Sequence, residues 1–296
     1  MERIIFYIEE KKKKRKKVSI LWAGLLVLLG RIKIRKEEDR GISIITLTFP
    51  IATREFASIE DRSRARLLNR VFVKMDKIAG DKNYCIVVSN ELSSYVNHSQ
   101  VIDGNGFPLL YMEEIIQWIQ KKHHLKAKDT SIILIETGNE KTKDFPTEEI
   151  LWQIYDKKNK LGIVTSRGDF FEEQIETIYK ETGLLIPIGG KLSFGNLILD
   201  FGLYDKRYIR EIQKGGVYID FTQEQLKTKV FEAKRKDIVY YNHFHFTLDG
   251  KETDKKWIQA LIWGISSEEM RQNLGYYKKD ERVRLHNLDI NRNNTV

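Results

Sequence analysis

The sequence predicts an α/β protein of two domains, the second built on a doubly wound parallel sheet. Three observations carry that expectation. Apolar runs of four to eight residues alternate with stretches of helical period. Alternation of this kind places parallel strands in a sheet with helices over its faces. The length, 296 residues, suits two domains of about 150 residues each.

The first domain is expected over residues 1–106. "RIIFYI" (3–8) reads as a strand and residues 13–31 as a helix. "ISIITLTF" (42–49) is a strand. Residues 59–79 read as a helix, with Leu67, Leu68, Val71, Phe72, Met75 and Ile78 on one side. "YCIVVS" (84–89) is a further strand, and "DGNG" (103–106) a turn. A connecting helix is expected over 107–128, with Met112, Ile115, Ile116 and Ile119 as its apolar face.

The second domain is expected over 129–222. "SIILIE" (131–136) is a strand that stops at a loop holding a single glycine, Gly138. Asp144 can cap the next helix, with Pro146 in its first turn and Ile150, Leu151, Ile154 and Tyr155 facing inward. "LGIVTS" (161–166) is a strand. Asp169 is expected to cap the helix after it, with Glu172 as a capping-box partner and Gly183 as its left-handed stop. "LLIPI" (184–188), "NLILDF" (196–201) and "GGVYIDF" (215–221) are strands, with a helix at 204–213 between the last two. The rhythm is that of a Rossmann-like sheet. Residues 223–288 are a mixed segment with helices around Trp257–Ile265 and Ser267–Tyr277, and 289–296 is a tail.

Composition narrows the class. Hydrophobic residues make up 41% and charged residues 31% of the chain, a globular balance rather than a disordered one. Cys85 is the only cysteine, so no intrachain disulfide can form, which fits a cytoplasmic protein. The net charge of +9 is concentrated near the start, where residues 1–50 hold 13 Lys/Arg against 6 Asp/Glu, or 13 − 6 = +7. Its main source is "KKKKRKK" (Lys11–Lys17), followed by the apolar run Val18–Gly30. That run is shorter than the roughly 18–20 residues a spanning helix needs, so no transmembrane span is expected. A packed helix with a basic, solvated first turn is the reading. Contact of the Lys run with an anionic membrane surface or with nucleic acid is the alternative.

"NLILDFG", a short helix and then "IQKGGVYIDF" resemble the last part of the NAD(P)-binding domain of shikimate dehydrogenase-type and amino acid dehydrogenase-type enzymes. The resemblance covers residues 129–222 and implies a dinucleotide site. A dinucleotide fingerprint uses three glycines, for the tight turn, for approach to the pyrophosphate and for helix packing. Here Gly138 stands alone, followed by Asn139, Glu140 and Lys141. No acid waits at the end of the second strand for an adenine ribose; that position reads Thr165, Ser166, Arg167. An Arg there suits a 2′-phosphate. The cofactor-binding residues so implied are Thr137, Gly138, Ser166 and Arg167, and the cofactor NADP. The catalytic lysine of the shikimate dehydrogenase type has no counterpart, since "TLTFPIATRE" (46–55) keeps Pro50 without a lysine in register.

Other chemistry is sparse. His243 and His245 share one face of a strand in "NHFHF", a spacing that can bind a metal, with no third ligand identifiable from the sequence. Neither a nucleophile elbow nor an oxyanion glycine accompanies "SSYVNHSQ" (93–100). The expectation is therefore a Rossmann-like protein that is non-catalytic or senses a ligand, with an eroded dinucleotide site. An NADP-preferring oxidoreductase is the alternative. A basic peripheral membrane or nucleic-acid-binding protein acting through Lys11–Lys17 is a further one.

Overall fold

The structure, a computed structural model, describes residues 3–10, 32–136, 147–155, 160–266 and 280–290. The expected helix at 13–31, the Lys run, the Asp144 cap, the helix at Ser267–Tyr277 and residues 291–296 of the expected tail lie outside these residues, whereas Asp289, expected to open that tail, ends a strand. Two compact units emerge. One holds the described residues up to Gly104 together with Lys256–Ser266, and the other Asn105–Lys255 with the described residues after Ser266. No helix among the described residues is long and apolar enough to cross a membrane.

The first unit carries a four-stranded sheet of order β2-β3-β1-β4, from β1 (Arg3–Glu9), β2 (Lys33–Asp39), β3 (Ile42–Thr48) and β4 (Tyr84–Val88). β1 runs parallel to both β3 and β4. β2, absent from the sequence reading, pairs antiparallel with β3. Arg40 and Gly41 join the two at φ 50 and φ 78, the pair of positive values a two-residue hairpin turn needs. β2 is exposed along nearly its whole length, so it has no apolar alternation to betray it, and its charges protect the sheet edge.

The helix expected from residue 59 begins at Asp61 and runs to Ala79, after a separate short helix, Thr53–Ser58. Leu67, Val71, Met75 and Ala79, spaced four apart, form its buried stripe. They pack with Phe6, Ile8, Leu47 and Ile86 of the sheet. The helix Lys255–Ile265 joins this unit at its C-terminal end. The Arg3 guanidinium donates to the carbonyls of Trp263 and Gly264 at 3.0 and 2.9 Å, a cation set at a helix C-terminus. Gly264 has to be small, because a Cβ there would lie 2.5 Å from Cδ1 of Ile42.

The second unit has a parallel sheet of five strands, β5 (Ser131–Glu136), β6 (Lys160–Thr165), β7 (Leu197–Asp200), β8 (Val217–Asp220) and β9 (Val239–Tyr241), in the order β6-β5-β7-β8-β9. This is the α/β class and the parallel, doubly wound sheet that the sequence predicts. β7 and β8 are buried at every position, as strands covered on both faces must be. On one face Ile133, Ile135, Ile198, Tyr218 and Tyr240 form a core with Ile209, Ile212 and Phe231. Leu134, Leu199 and Ile219, which alternate to the other face, are equally sealed.

The strand expected at 184–188 shrinks to a single parallel bridge, Ile188 on Ile163, at the outer edge of β6. Ile163 N–H donates to the Pro187 carbonyl at 3.0 Å and Gly189 N–H to the Ile163 carbonyl at 2.8 Å. Pro187 has no N–H to extend the ladder, and Leu185 is 74% exposed. With this bridge counted as the third strand, the order in the unit becomes 3-2-1-4-5-6, that of the dinucleotide-binding sheets.

Asp169 does not cap the next helix. Thr165 Oγ1 accepts the Arg167 N–H at 2.9 Å, the turn off β6 closes early, and the helix runs Gly168–Thr182 with Arg167 at its cap. Asp169 is left in the first turn, where an acid suits the helix dipole. Gly183 ends the helix as expected, at φ 73, its N–H on the Tyr179 carbonyl at 2.8 Å.

The segment 223–255 is more regular than the mixed stretch expected. A helix, Gln225–Lys234, leads into β9. Asn242 then divides "YYNHFHF" between two sheets, and β10 (His243–Leu248) pairs antiparallel with β11 (Lys251–Thr253) and β12 (Val283–Asp289). β12 also has no counterpart in the sequence reading.

Candidate ligand edge of the parallel sheet

The strand order reverses between β5 and β7, because β6 lies on one side of β5 and β8 on the far side of β7. Open α/β sheets bind their ligands at such a reversal, beyond the carboxyl ends of the strands. Four neighbouring strands end there on polar residues: Thr165 on β6, Glu136 on β5, Asp200 on β7 and Asp220 on β8. Glu136 pairs in register with Thr165, and Asp200 with Asp220. All three acids are buried, at 2%, 1% and 0% exposure, so each needs a compensating partner.

Arg167 supplies it to Glu136. Its Nη2 donates to Oε1 at 2.9 Å and its Nε to Oε2 at 3.3 Å, a forked contact. Thr165 Oγ1 donates to the same Oε2 at 2.8 Å. The guanidinium also lies 4.5 Å from the centre of the Phe170 ring. The cation that the sequence offers to a 2′-phosphate is thus already engaged by a carboxylate of the neighbouring strand. Ser166 is exposed in the same turn. Thr137 and Gly138 lie outside the described residues.

Lys227 serves the other two acids. Its ammonium lies 2.5 Å from Asp200 Oδ2, 3.2 Å from Asp220 Oδ1, 2.6 Å from the Gly202 carbonyl and 3.1 Å from Thr222 Oγ1. Tyr218 donates its hydroxyl to Asp200 Oδ2, and Tyr240 donates to Asp220 Oδ2 at 2.9 Å. Backbone N–H groups of Gly202 and Thr222 reach Asp200 and Asp220 at 2.7 and 3.0 Å.

Two carboxylates face one ammonium, so one negative charge is in excess. Burial pushes Asp200 up to about 6, the nearby Asp220 adds to that, and Lys227 opposes it. Burial alone would lower Lys227, but the two carboxylates outweigh it and hold its pKa above the ordinary lysine value. Burial and the Asp200 charge hold the Tyr218 hydroxyl well above its usual range, so it stays a donor. A group sealed this completely holds strands and helix together.

Glu136, Asp200, Asp220 and Lys227 escaped the sequence reading as site residues. A signal existed for the acids, since "ILIE", "LILD" and "VYID" each close an apolar strand on a carboxylate. None existed for Lys227.

The three-stranded sheet brings a second set together. His243, His245 and Asp289 present ligand atoms that all lie within 4.8 Å of one another. The sequence reading had the two histidines on one face; the third member comes from β12.

No family model matches the chain, and no curated protein matches it in sequence. Among solved structures, the chain is similar to L-tryptophan dehydrogenase from Nostoc punctiforme, at 9% identity and a TM-score of 0.38, over 90% of this chain and 76% of that one. It is also similar to a candidate aspartate carbamoyltransferase from Trypanosoma cruzi, at 11% identity and a TM-score of 0.31, over 74% and 69% of the two chains. Both similarities are too distant to bear on activity.

Proposed function

We propose that the second unit is a Rossmann-like module, non-catalytic or ligand-sensing, whose dinucleotide site is eroded. One observation carries this reading: among the described residues, Arg167 and Lys227 at the carboxyl edge of the sheet are already matched to buried acids. Glu136 takes the Nε and Nη2 donors of Arg167, so a 2′-phosphate on the remaining guanidinium N–H groups meets the charge of that carboxylate. Drawing the guanidinium away would leave the buried Glu136 with the Thr165 hydroxyl but without this counter-charge, at a cost of up to roughly 3–5 kcal/mol. The new charge-assisted contact returns only about 1.5–3 kcal/mol. The balance disfavours NADP at Arg167, a contact on which the oxidoreductase reading relies. A cytoplasmic location goes with this reading, on the strength of the single, buried cysteine, Cys85.

Calorimetric titration of the native protein and of Arg167→Ala with NADP and NAD tests the proposal. Neither nucleotide is expected to give heat at millimolar concentration. Micromolar NADP binding that Arg167→Ala abolishes would overturn it in favour of the dehydrogenase reading.

A further inference from the structure

We propose that one face of the three-stranded sheet is a binding site for a single divalent first-row transition ion. Its ligands are His243 Nδ1, His245 Nε2 and the Asp289 carboxylate, and Glu252 orients His245.

Strand geometry explains why these residues meet. Side chains alternate along β10, so Phe244 and Phe246 turn inward while His243 and His245 turn outward. The inward pair is tightly held: Phe246 packs 4.5 Å from the Phe107 ring, and Phe244 stacks 5.0 Å from Phe221. The histidines therefore stand on a fixed floor. Antiparallel pairing sets Asp289 of β12 directly opposite His243, on the same face. Glu252 of β11 pairs with Thr247, two residues beyond His245 and again on that face.

The two imidazole nitrogens stand side by side, and the Asp289 carboxylate turns one oxygen to each of them. His243 Nδ1 lies 3.1 Å from His245 Nε2 and 3.2 Å from Asp289 Oδ1, and His245 Nε2 lies 3.0 Å from Asp289 Oδ2. Metal–nitrogen and metal–oxygen bonds of about 2.0–2.2 Å put neighbouring donors roughly 2.8–3.6 Å apart, from octahedral to tetrahedral geometry. The two nitrogens therefore have the spacing of adjacent donors on one ion, and each carboxylate oxygen has that spacing toward one of them. Two imidazoles and one carboxylate suit zinc, iron, cobalt or nickel; calcium and magnesium take oxygen sets.

The far nitrogen of His245 is also provided for. His245 Nδ1 lies 2.5 Å from Glu252 Oε1, the carboxylate–histidine pairing that fixes the ring and leaves Nε2 for the metal. The His243, His245 and Asp289 side chains are 32%, 20% and 48% exposed, so the outer side of the ion stays open to water.

The test uses the full chain, stripped with a chelator and titrated with Zn²⁺ by calorimetry, with the visible spectrum of bound Co²⁺ as a second readout. The proposal expects one ion per chain with sub-micromolar affinity. Asp289→Asn and His245→Ala should each weaken binding by at least about a hundredfold and bleach the Co²⁺ bands. Glu252→Gln should weaken it by roughly ten- to a hundredfold. Exposed His286→Ala should change nothing. If His245→Ala fails to fold, the near-isosteric Asp289→Asn decides. Absence of stoichiometric Zn²⁺ binding to the native chain, or full affinity retained in Asp289→Asn, would overturn the proposal and leave a cluster held by a histidine proton.

Discussion

Lys227 and Asp200 form an ion pair of 2.5 Å in which the two side chains are 1% and 2% exposed. Asp220 adds a second carboxylate at 3.2 Å. The helix Gln225–Lys234 thereby ties its inner face to the ends of two strands of the sheet. Removing the cation leaves two acids in a sealed space, with tyrosine hydroxyls and backbone N–H groups as their donors.

Lys227→Met should therefore destabilise the second unit by about 3–5 kcal/mol near neutral pH. The loss should be smaller at pH 4, where the stranded carboxylates take up protons. Urea unfolding at the two pH values measures both quantities. A melting point unchanged by the substitution would show that the pair is not formed.

The pH dependence of stability follows from Asp200. Its folded pKa, about 6, stands above the ordinary 3.8, so the folded state holds the extra proton between those values. That contribution is complete below about pH 4 and is lost as pH rises through about 6. Its size is at most roughly 3 kcal/mol. Native protein should lose stability relative to Asp200→Asn across this window. A difference between the two that stays flat from pH 4 to pH 7 would contradict the assignment.

Leu134 sits in the middle of β5, between β6 and β7, at 1% exposure. Leu134→Ala should cost about 2–5 kcal/mol, the range for a buried leucine that leaves a cavity. Thermal melting checks it, and an unaltered melting temperature would place β5 away from the core.

What the sequence revealed follows from how each residue is buried. β5, β7 and β8 are legible because apolar runs such as Ile132–Ile135 and Leu197–Leu199 fill the centre of a sheet covered on both faces. Gly183 is legible because a left-handed stop favours glycine. The helix Gln225–Lys234 was hidden because its buried set is Lys227, Thr228 and Phe231, which makes no apolar stripe. β2 was hidden because both its faces meet solvent. Residues 184–188 misled because the apolar run outweighed Pro187, whose missing donor confines the pairing to one bridge. At the sheet edge, the sequence marked Arg167 but not its partner, since Glu136 is 31 residues away and reaches it only through the pairing of β5 with β6. Asp289 is 46 residues from His243 and meets it only through the β10–β12 register.

Glu136 competes with a 2′-phosphate for Arg167, and Glu136→Gln isolates that competition. The substitution keeps the shape and removes the competing charge. Calorimetric titration with NADP at fixed, low ionic strength should give no measurable binding to the native protein and a gain of roughly ten- to a hundredfold in Glu136→Gln. The gain should vanish when Arg167→Ala is added. Affinity for NADP that is already micromolar in the native protein, or that falls on Glu136→Gln, would contradict the account.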